Sequence, residues 1–199
     1  IFKNIKFIIP PIKEQKQIAE ILSTVDNKIE NLKENVNVIE ELKKGLIQKL
    51  FTEGICHTEF KDSEFGKIPK SWEEISLEDI CITKGIRRGP FGGALKKDIF
   101  VPNGYKVYEQ KNAISKDLSL GQYFITEEKY NEMEAFQVKE NDFLISCSGT
   151  IGKIVQISNN YKKGIINQAL LKLTLNNFVI NDTFFKYQFE SDKIQSLIV

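Results

Sequence analysis

Apolar residues in the first quarter of the chain recur at Ile18, Leu22, Val25, Ile29, Leu32, Val36 and Ile39, with spacings that alternate four and three. A period of 3.5 residues marks a coiled-coil seam, the stripe a helix presents to a partner helix. Leu42 follows after three residues where four are due, and Leu46 and Leu50 continue the stripe. Such an offset is a stammer, which overwinds the coil locally. Pro10 and Pro11 precede the pattern, and proline is tolerated at the first helical position because its missing N–H would be unpaired there. Gly54 suits a helix terminator. The pattern predicts a long helix over residues 11–53, about 64 Å in length at 1.5 Å per residue. Lys28, Glu30, Lys33, Glu34, Glu40, Glu41, Lys43 and Lys44 occupy the remaining positions, so one side of the helix faces water. An amphipathic helix lying on its own domain's core is the simpler alternative. It leaves three uninterrupted heptads unexplained.

From Gly54 to Trp72 the chain turns polar and turn-rich, which reads as a linker over residues 54–71 that docks through Trp72. Residues 72–199 carry short β-type runs at 105–108, 122–126, 142–146, 151–157 and 165–175, separated by Gly, Asn and Lys clusters. Helical spacing returns over residues 180–198 through Ile180, Phe184, Tyr187, Ile194 and Ile198, with Asn181 or Asp182 available as N-cap. The predicted class is α+β: a long coiled-coil helix followed by a mixed, mainly antiparallel domain.

Composition narrows the function classes. Cys56, Cys81 and Cys147 are far apart and odd in number, which suits reduced thiols in a cytoplasmic protein and argues against a disulfide framework or a cysteine-rich zinc site. No apolar run approaches the 18 residues of a membrane span. The first residues lack the apolar core of a signal peptide, and the absence of an initiator Met suggests a piece of a longer chain. The net charge of +1 hides an uneven distribution: residues 84–117 hold eight Lys/Arg against three Asp/Glu, and residues 59–79 hold three against seven. A local basic surface can hold phosphate even when the whole chain is nearly neutral.

Catalytic motifs are hard to find. Ser148-Gly149-Thr150-Ile151-Gly152-Lys153 approximates a phosphate loop, but Cys147 stands where Gly is needed and Ile154 where Ser or Thr is needed. His57 is the sole histidine; beside Cys56 it lacks a third or fourth metal ligand, and a nucleophile–histidine pair would have to use it on the linker. The sequence has no Asp/Asn-Pro-Pro-Tyr/Phe tetrapeptide of the kind carried by enzymes that methylate amino groups, and no convincing acidic–acidic–Lys nuclease cluster, so no catalytic residue, metal or cofactor is expected.

The most suggestive stretch is residues 85–97, with four glycines and a proline within nine residues, a loop whose backbone can approach a ligand closely. Arg87, Arg88, Lys96 and Lys97 flank it. Arginine can fork onto guanine or phosphate, and lysine serves as a point charge toward phosphate. Gln110, Lys111 and Asn112 place two amides suited to adenine edges around one cation. Ser148, Thr150 and Lys153 form a second candidate surface. A solvated glycine loop and a polar strand end fit the same residues equally well.

Several stretches together resemble the specificity subunits of type I restriction–modification systems. Residues 9–19 (IPPIKEQKQIA) are similar to the family's proline-led entry into a conserved helix, and residues 42–51 (LKKGLIQKLF) to its end. Residues 54–69 with Trp72 are similar to the segment that opens the second target-recognition domain. Residues 142–146, 151–153 and 167–169 resemble mid-domain strands. The resemblance implies a non-catalytic subunit in which two target-recognition domains are held apart by two antiparallel helices, each domain reading half of a bipartite target. It further implies residues 1–10 as the end of a preceding recognition domain, 11–53 as the spacer helix, and 72–199 as a C-terminally incomplete recognition domain. The implied partners are double-stranded DNA, the modification (methyltransferase) subunits, through the complex the restriction/translocase subunit, and a second conserved helix in the same or another chain. Two rivals remain: a coiled-coil scaffold whose α+β domain binds protein, and the recognition half of a fused restriction–methylation enzyme.

Overall fold

The computed structural model describes residues 4–198, and leaves the side chain of Lys97 undescribed; the expected preceding-domain segment 1–10 therefore lies partly outside the described residues. The chain divides into two compact units, Ile1–Leu50 and Phe51–Val199. The first is dominated by α1 (Ile12–Leu50), 39 residues long. Its first turn is closed by Gln15, whose N–H donates to Pro11 O at 3.0 Å and whose side chain donates to Pro10 O at 2.7 Å. No residue of α1 is buried. The seam residues Ile18, Leu22, Val25, Ile29, Leu32, Val36 and Ile39 are all 44–63% exposed. Among the described residues no helix is long and apolar enough to cross a membrane.

The second unit begins with turns over residues 51–56. Gly54 adopts φ +67°, and a Cβ there would lie 2.6 Å from the His57 ring and 2.8 Å from Trp72. Trp72 thus packs against His57, ring centroids 6.0 Å apart. Within the stretch read as a linker docking through Trp72, residues 60–69 fold into a hairpin of β1 (Phe60–Ser63) and β2 (Gly66–Pro69). Ser63 Oγ closes its turn by donating to Gly66 O at 2.6 Å and accepting from Phe65 N–H.

Seven further strands form two sheets: β3 (Cys81–Arg88), β4 (Tyr105–Tyr108), β5 (Phe124–Ile125), β6 (Phe143–Ser146), β7 (Ile154–Gln156), β8 (Gly164–Ile166) and β9 (Leu170–Leu175). One sheet has the order β3-β9-β6-β7, the other β5-β4-β8; β4–β8 is parallel and every other pair antiparallel. Four short helices complete the unit: α2 (Gln110–Ile114), α3 (Glu127–Glu132), α4 (Asp182–Phe189) and α5 (Asp192–Ile198). The fold is α+β.

Period-two alternation distributes the core. Phe143 and Ile145 of β6 pack with Leu173, Phe185 and Phe189 under α4, whereas Leu144 between them joins Tyr108, Ile166 and Leu170 between the two sheets. The outer face of the smaller sheet, through Val107 and Ile165, is covered by Met133, Leu95 and Ile99. Buried Asp142 accepts from Thr174 Oγ1 at 2.5 Å and Lys139 N–H at 2.7 Å, and Lys172 donates to Gln137 O. These bonds satisfy Asp142 and Lys172 within the packed layers.

Three stretches differ in detail from the sequence pattern. The run 165–175 is not one strand: Asn167 Oδ1 accepts from Ala169 N–H at 3.0 Å, a side-chain turn that moves the chain from the smaller sheet to the larger. Residues 180–198 form two helices, because Ser191 Oγ bonds back to Gln188 O and interrupts the ladder. Residues 81–88, unread as a strand, pair with β9 across a bulge between Cys81 and Ile86, with Lys84 at φ +62°. The bulge breaks the alternation that betrays a strand.

Tyr108 carries a pH test. Its hydroxyl donates to Lys162 O at 2.7 Å, and burial pushes the phenol up to about 12 from its ordinary 10.0. Only the neutral form suits the folded interior, so its contribution is complete below pH 10 and is lost as the unfolded chain ionises between pH 10 and 12. Thermal melts across that interval should show Tm falling less steeply in Tyr108→Phe than in wild type. Burial also pushes Tyr130 up, which leaves a residual slope. Identical slopes in the two proteins would contradict this assignment.

Candidate nucleic-acid interface

Strand direction gathers one rim. β3 and β6 both run antiparallel to β9, so Arg88, paired with Leu171, and Ser146, paired with Leu170, finish at the same end of the sheet on either side of β9. The link 167–169 leaves β8 for β9 at the same place. Parallel pairing of Tyr108 with Ile166 brings the end of β4 there too, and Asn167 N–H donates to Tyr108 O at 3.0 Å. Ser146 N–H donates to Lys153 O at 2.8 Å, which returns the β6–β7 loop to this rim.

Close backbone packing fixes the rim. Gly89 N–H donates to Leu170 O at 2.9 Å, and a Cβ on Gly89 would lie 1.8 Å from Asn167 O. No side chain fits that approach. Arg88 then spans the neighbouring segments: Nε donates to Gln168 O at 3.0 Å and Nη2 to Cys147 O at 3.3 Å, with the guanidinium 5.6 Å from the centroid of Phe91. Burial raises the Cys147 thiol above its ordinary range, with Arg88 pulling the other way.

The β6–β7 loop is exposed at Ser148, Gly149, Thr150, Ile151 and Lys153. Gly149 sits at φ +64° with nothing within 4 Å of a Cβ position. The loop leads into strand β7, a geometry unlike the strand-to-helix turn of a phosphate loop. Ser148 and Thr150 present hydroxyls, while Arg87 and Arg88 are half-buried on β3 rather than on a free loop.

The other sequence candidates divide. Lys96 is exposed and folds its stem over Gly93, within a 3-10 turn whose Ala94 and Leu95 pack on the smaller sheet. Gln110, Lys111 and Asn112 open α2 rather than a strand end. Asn112 is fully buried: Oδ1 accepts from Glu109 N–H, and Nδ2 donates to Asp117 O and Leu120 O at 2.8 and 2.7 Å. Its amide is committed to the fold and leaves the candidate set. Lys111 is ion-paired with Glu109 at 2.7 Å. Gln110 Oε1 is buried, with no hydrogen-bond partner among the described residues.

Two rim residues escaped the sequence reading. Gln168 is exposed at the crossover between sheets, and Phe91 is 71% exposed beside Arg88. The polar Asn-Gln break in an otherwise apolar run was the available signal for the first; a lone Phe in a glycine loop offered none for the second.

Comparison with known proteins agrees with this architecture. Residues 1–41 and 69–199 match the family described as the type I restriction modification DNA specificity domain. The type I restriction enzyme MjaVIII specificity subunit of Methanocaldococcus jannaschii is 36% identical over 158 residues, which is 77% of this chain and 36% of that protein. The chain thus spans about a third of that relative's length. Among solved structures, the HsdS subunit from Thermoanaerobacter tengcongensis is similar with a TM-score of 0.56 and 16% identity, over 94% of this chain and 43% of that one. A chain from a study of complex assembly and conformational transition of the type I R-M system is similar with a TM-score of 0.54 and 14% identity, at the same coverage. Both show a shared fold. With the family matched over most of its length, the chain belongs to the type I restriction modification DNA specificity domain family.

Proposed function

We propose that the Phe51–Val199 unit reads one half of a bipartite double-stranded DNA target, and that α1 docks a second conserved helix and, with it, the modification subunits. The chain performs no chemistry itself; methyl transfer, translocation and cleavage belong to the other subunits. One observation carries the DNA reading: strand ends from both sheets bring arginine, hydroxyl and amide groups to a single rim, on a chain whose family is a DNA specificity domain. Arg87 offers a fork for guanine or phosphate, Gln168 an amide for adenine, and Ser148 and Thr150 hydroxyls for either. Lys96, Lys97 and Lys153 are assigned to phosphate, with Gln110 and Lys111 at the margin. The exposed seam supports the docking reading, since apolar stripes of this length are stabilised by burial against another helix.

Affinity for mixed-sequence duplex DNA should fall with salt. Each of Lys96→Ala, Lys97→Ala and Lys153→Ala should reduce the slope of log affinity against log salt by about 0.9. Arg87→Ala, if it removes a base contact, should cost about 1–3 kcal/mol at one position of one half-site and leave the other half-site unchanged. DNA affinity that is absent, or that does not respond to salt, would favour the protein-binding scaffold.

Leu32→Glu tests the seam. At 52% exposure in the single chain the substitution should leave the thermal melt of the second unit unchanged. Placed against a partner helix it buries an unpaired charge, which costs several kcal/mol, so co-purification with the cognate modification subunits should be lost. Association equal to wild type would remove the coiled-coil assignment.

A further inference from the structure

The bonds of Arg88 set it apart from the other candidate contacts. A guanidinium has five N–H donors in a fixed plane. Two of Arg88's meet main-chain carbonyls from different parts of the fold: Gln168 O at 3.0 Å in the β8–β9 crossover, and Cys147 O at 3.3 Å at the start of the β6–β7 loop. The Phe91 ring, 5.6 Å away, restricts the plane further. The same two segments are joined to each other by Cys147 N–H donating to Ala169 O at 2.8 Å. Immediately after Arg88, Gly89 is pressed against Asn167 O, so the strand that delivers the arginine is itself immobilised on the crossover.

Gln168, Ser148 and Thr150, in contrast, are exposed and lie on the two segments that Arg88 ties together. We propose that Arg88 is the positioning residue of this rim: its guanidinium locks the crossover and the β6–β7 loop in one register, and Gln168, Ser148 and Thr150 make the sequence-reading contacts. This deepens the DNA reading above and rests on it for the last step. Base readout needs donors held to well under an ångström, so a loosened clamp blurs every contact the two segments make. A direct reader would affect one base pair only. Lysine is a poor replacement: its donors radiate from one flexible atom, whereas Arg88 meets Gln168 O and Cys147 O through two nitrogens, Nε and Nη2, fixed in one plane.

Two readouts separate the clamp from the reading. In the full chain without DNA, Arg88→Ala and Arg88→Lys should each speed amide exchange at Cys147 and Ala169 by about tenfold or more. Exchange at Val107, whose N–H donates to Tyr123 O inside the smaller sheet, should be unchanged and so report that the fold is intact. In the complex with the cognate modification subunits, mapping of methylated sites should show both variants relaxing several adjacent positions of one half-site. Gln168→Ala should relax a single position. Unchanged exchange in Arg88→Ala, relaxation confined to one position, or wild-type target choice in Arg88→Lys would each overturn the proposal. A wild-type complex without sequence preference from this domain would sink the DNA reading alone, and the exchange rates would still decide the clamp.

Discussion

The backbone of Gly89 passes so close to Asn167 that a Cβ would sit 1.8 Å from its carbonyl oxygen, and the arrangement of the second unit follows from that contact. It pins the end of β3 to the point where the chain leaves one sheet for the other. Because β9 is central, with β3 on one side and β6 on the other, fixing the crossover fixes the ends of three strands of the larger sheet and of β4 and β8 in the smaller. The residues that gather there come from positions about 80 apart in sequence. Their proximity is a property of sheet topology, and composition says nothing of it.

The two units are stabilised by different means. The second has interior layers in which alternate residues of each strand serve opposite faces, with Leu144 on one side of β6 and Phe143 and Ile145 on the other. The first has no interior. Its apolar stripe is half exposed along its whole length, and a helix gains most of its stability from packing such a face rather than from propensity. In the proposed assembly that division has a function: a stiff element sets spacing, and a compact element carries recognition.

Legibility in the sequence followed the same division. A stripe such as Ile18–Leu22–Val25 is a local signal, repeated every turn or two, so the long helix could be read directly, although its ends, Ile12 and Leu50, fall inside the expected 11–53. β4 and β6 were legible because short apolar runs sat between clear breaks. β3 was not, since the bulge before Ile86 and the glycine beside Lys84 disguise the alternation. The hairpin Phe60–Pro69 was hidden by polar residues exposed on both of its faces. Among the candidate residues, Arg88, Ser148 and Thr150 are suggested by their chemistry, and the strand ends that carry them lie at one rim. Asn112 reads as a base-edge amide in the sequence, but such an amide is equally suited to buried carbonyls, here those of Asp117 and Leu120. Only tertiary structure shows which partner it meets. Gln168 is marked in the sequence only by the polar Asn-Gln break, because a side chain at a crossover has no periodic signature.

In the proposed function, one end of the second unit faces DNA. Hydrogen exchange of the full chain with and without duplex DNA tests it most directly. Protection is expected at residues 87–91, 147–153 and 167–169. No change is expected at the opposite end of the sheets, where Asn160, Tyr161 and Lys162 lead into β8. Protection centred on residues 158–163, with the rim unchanged, would contradict this reading.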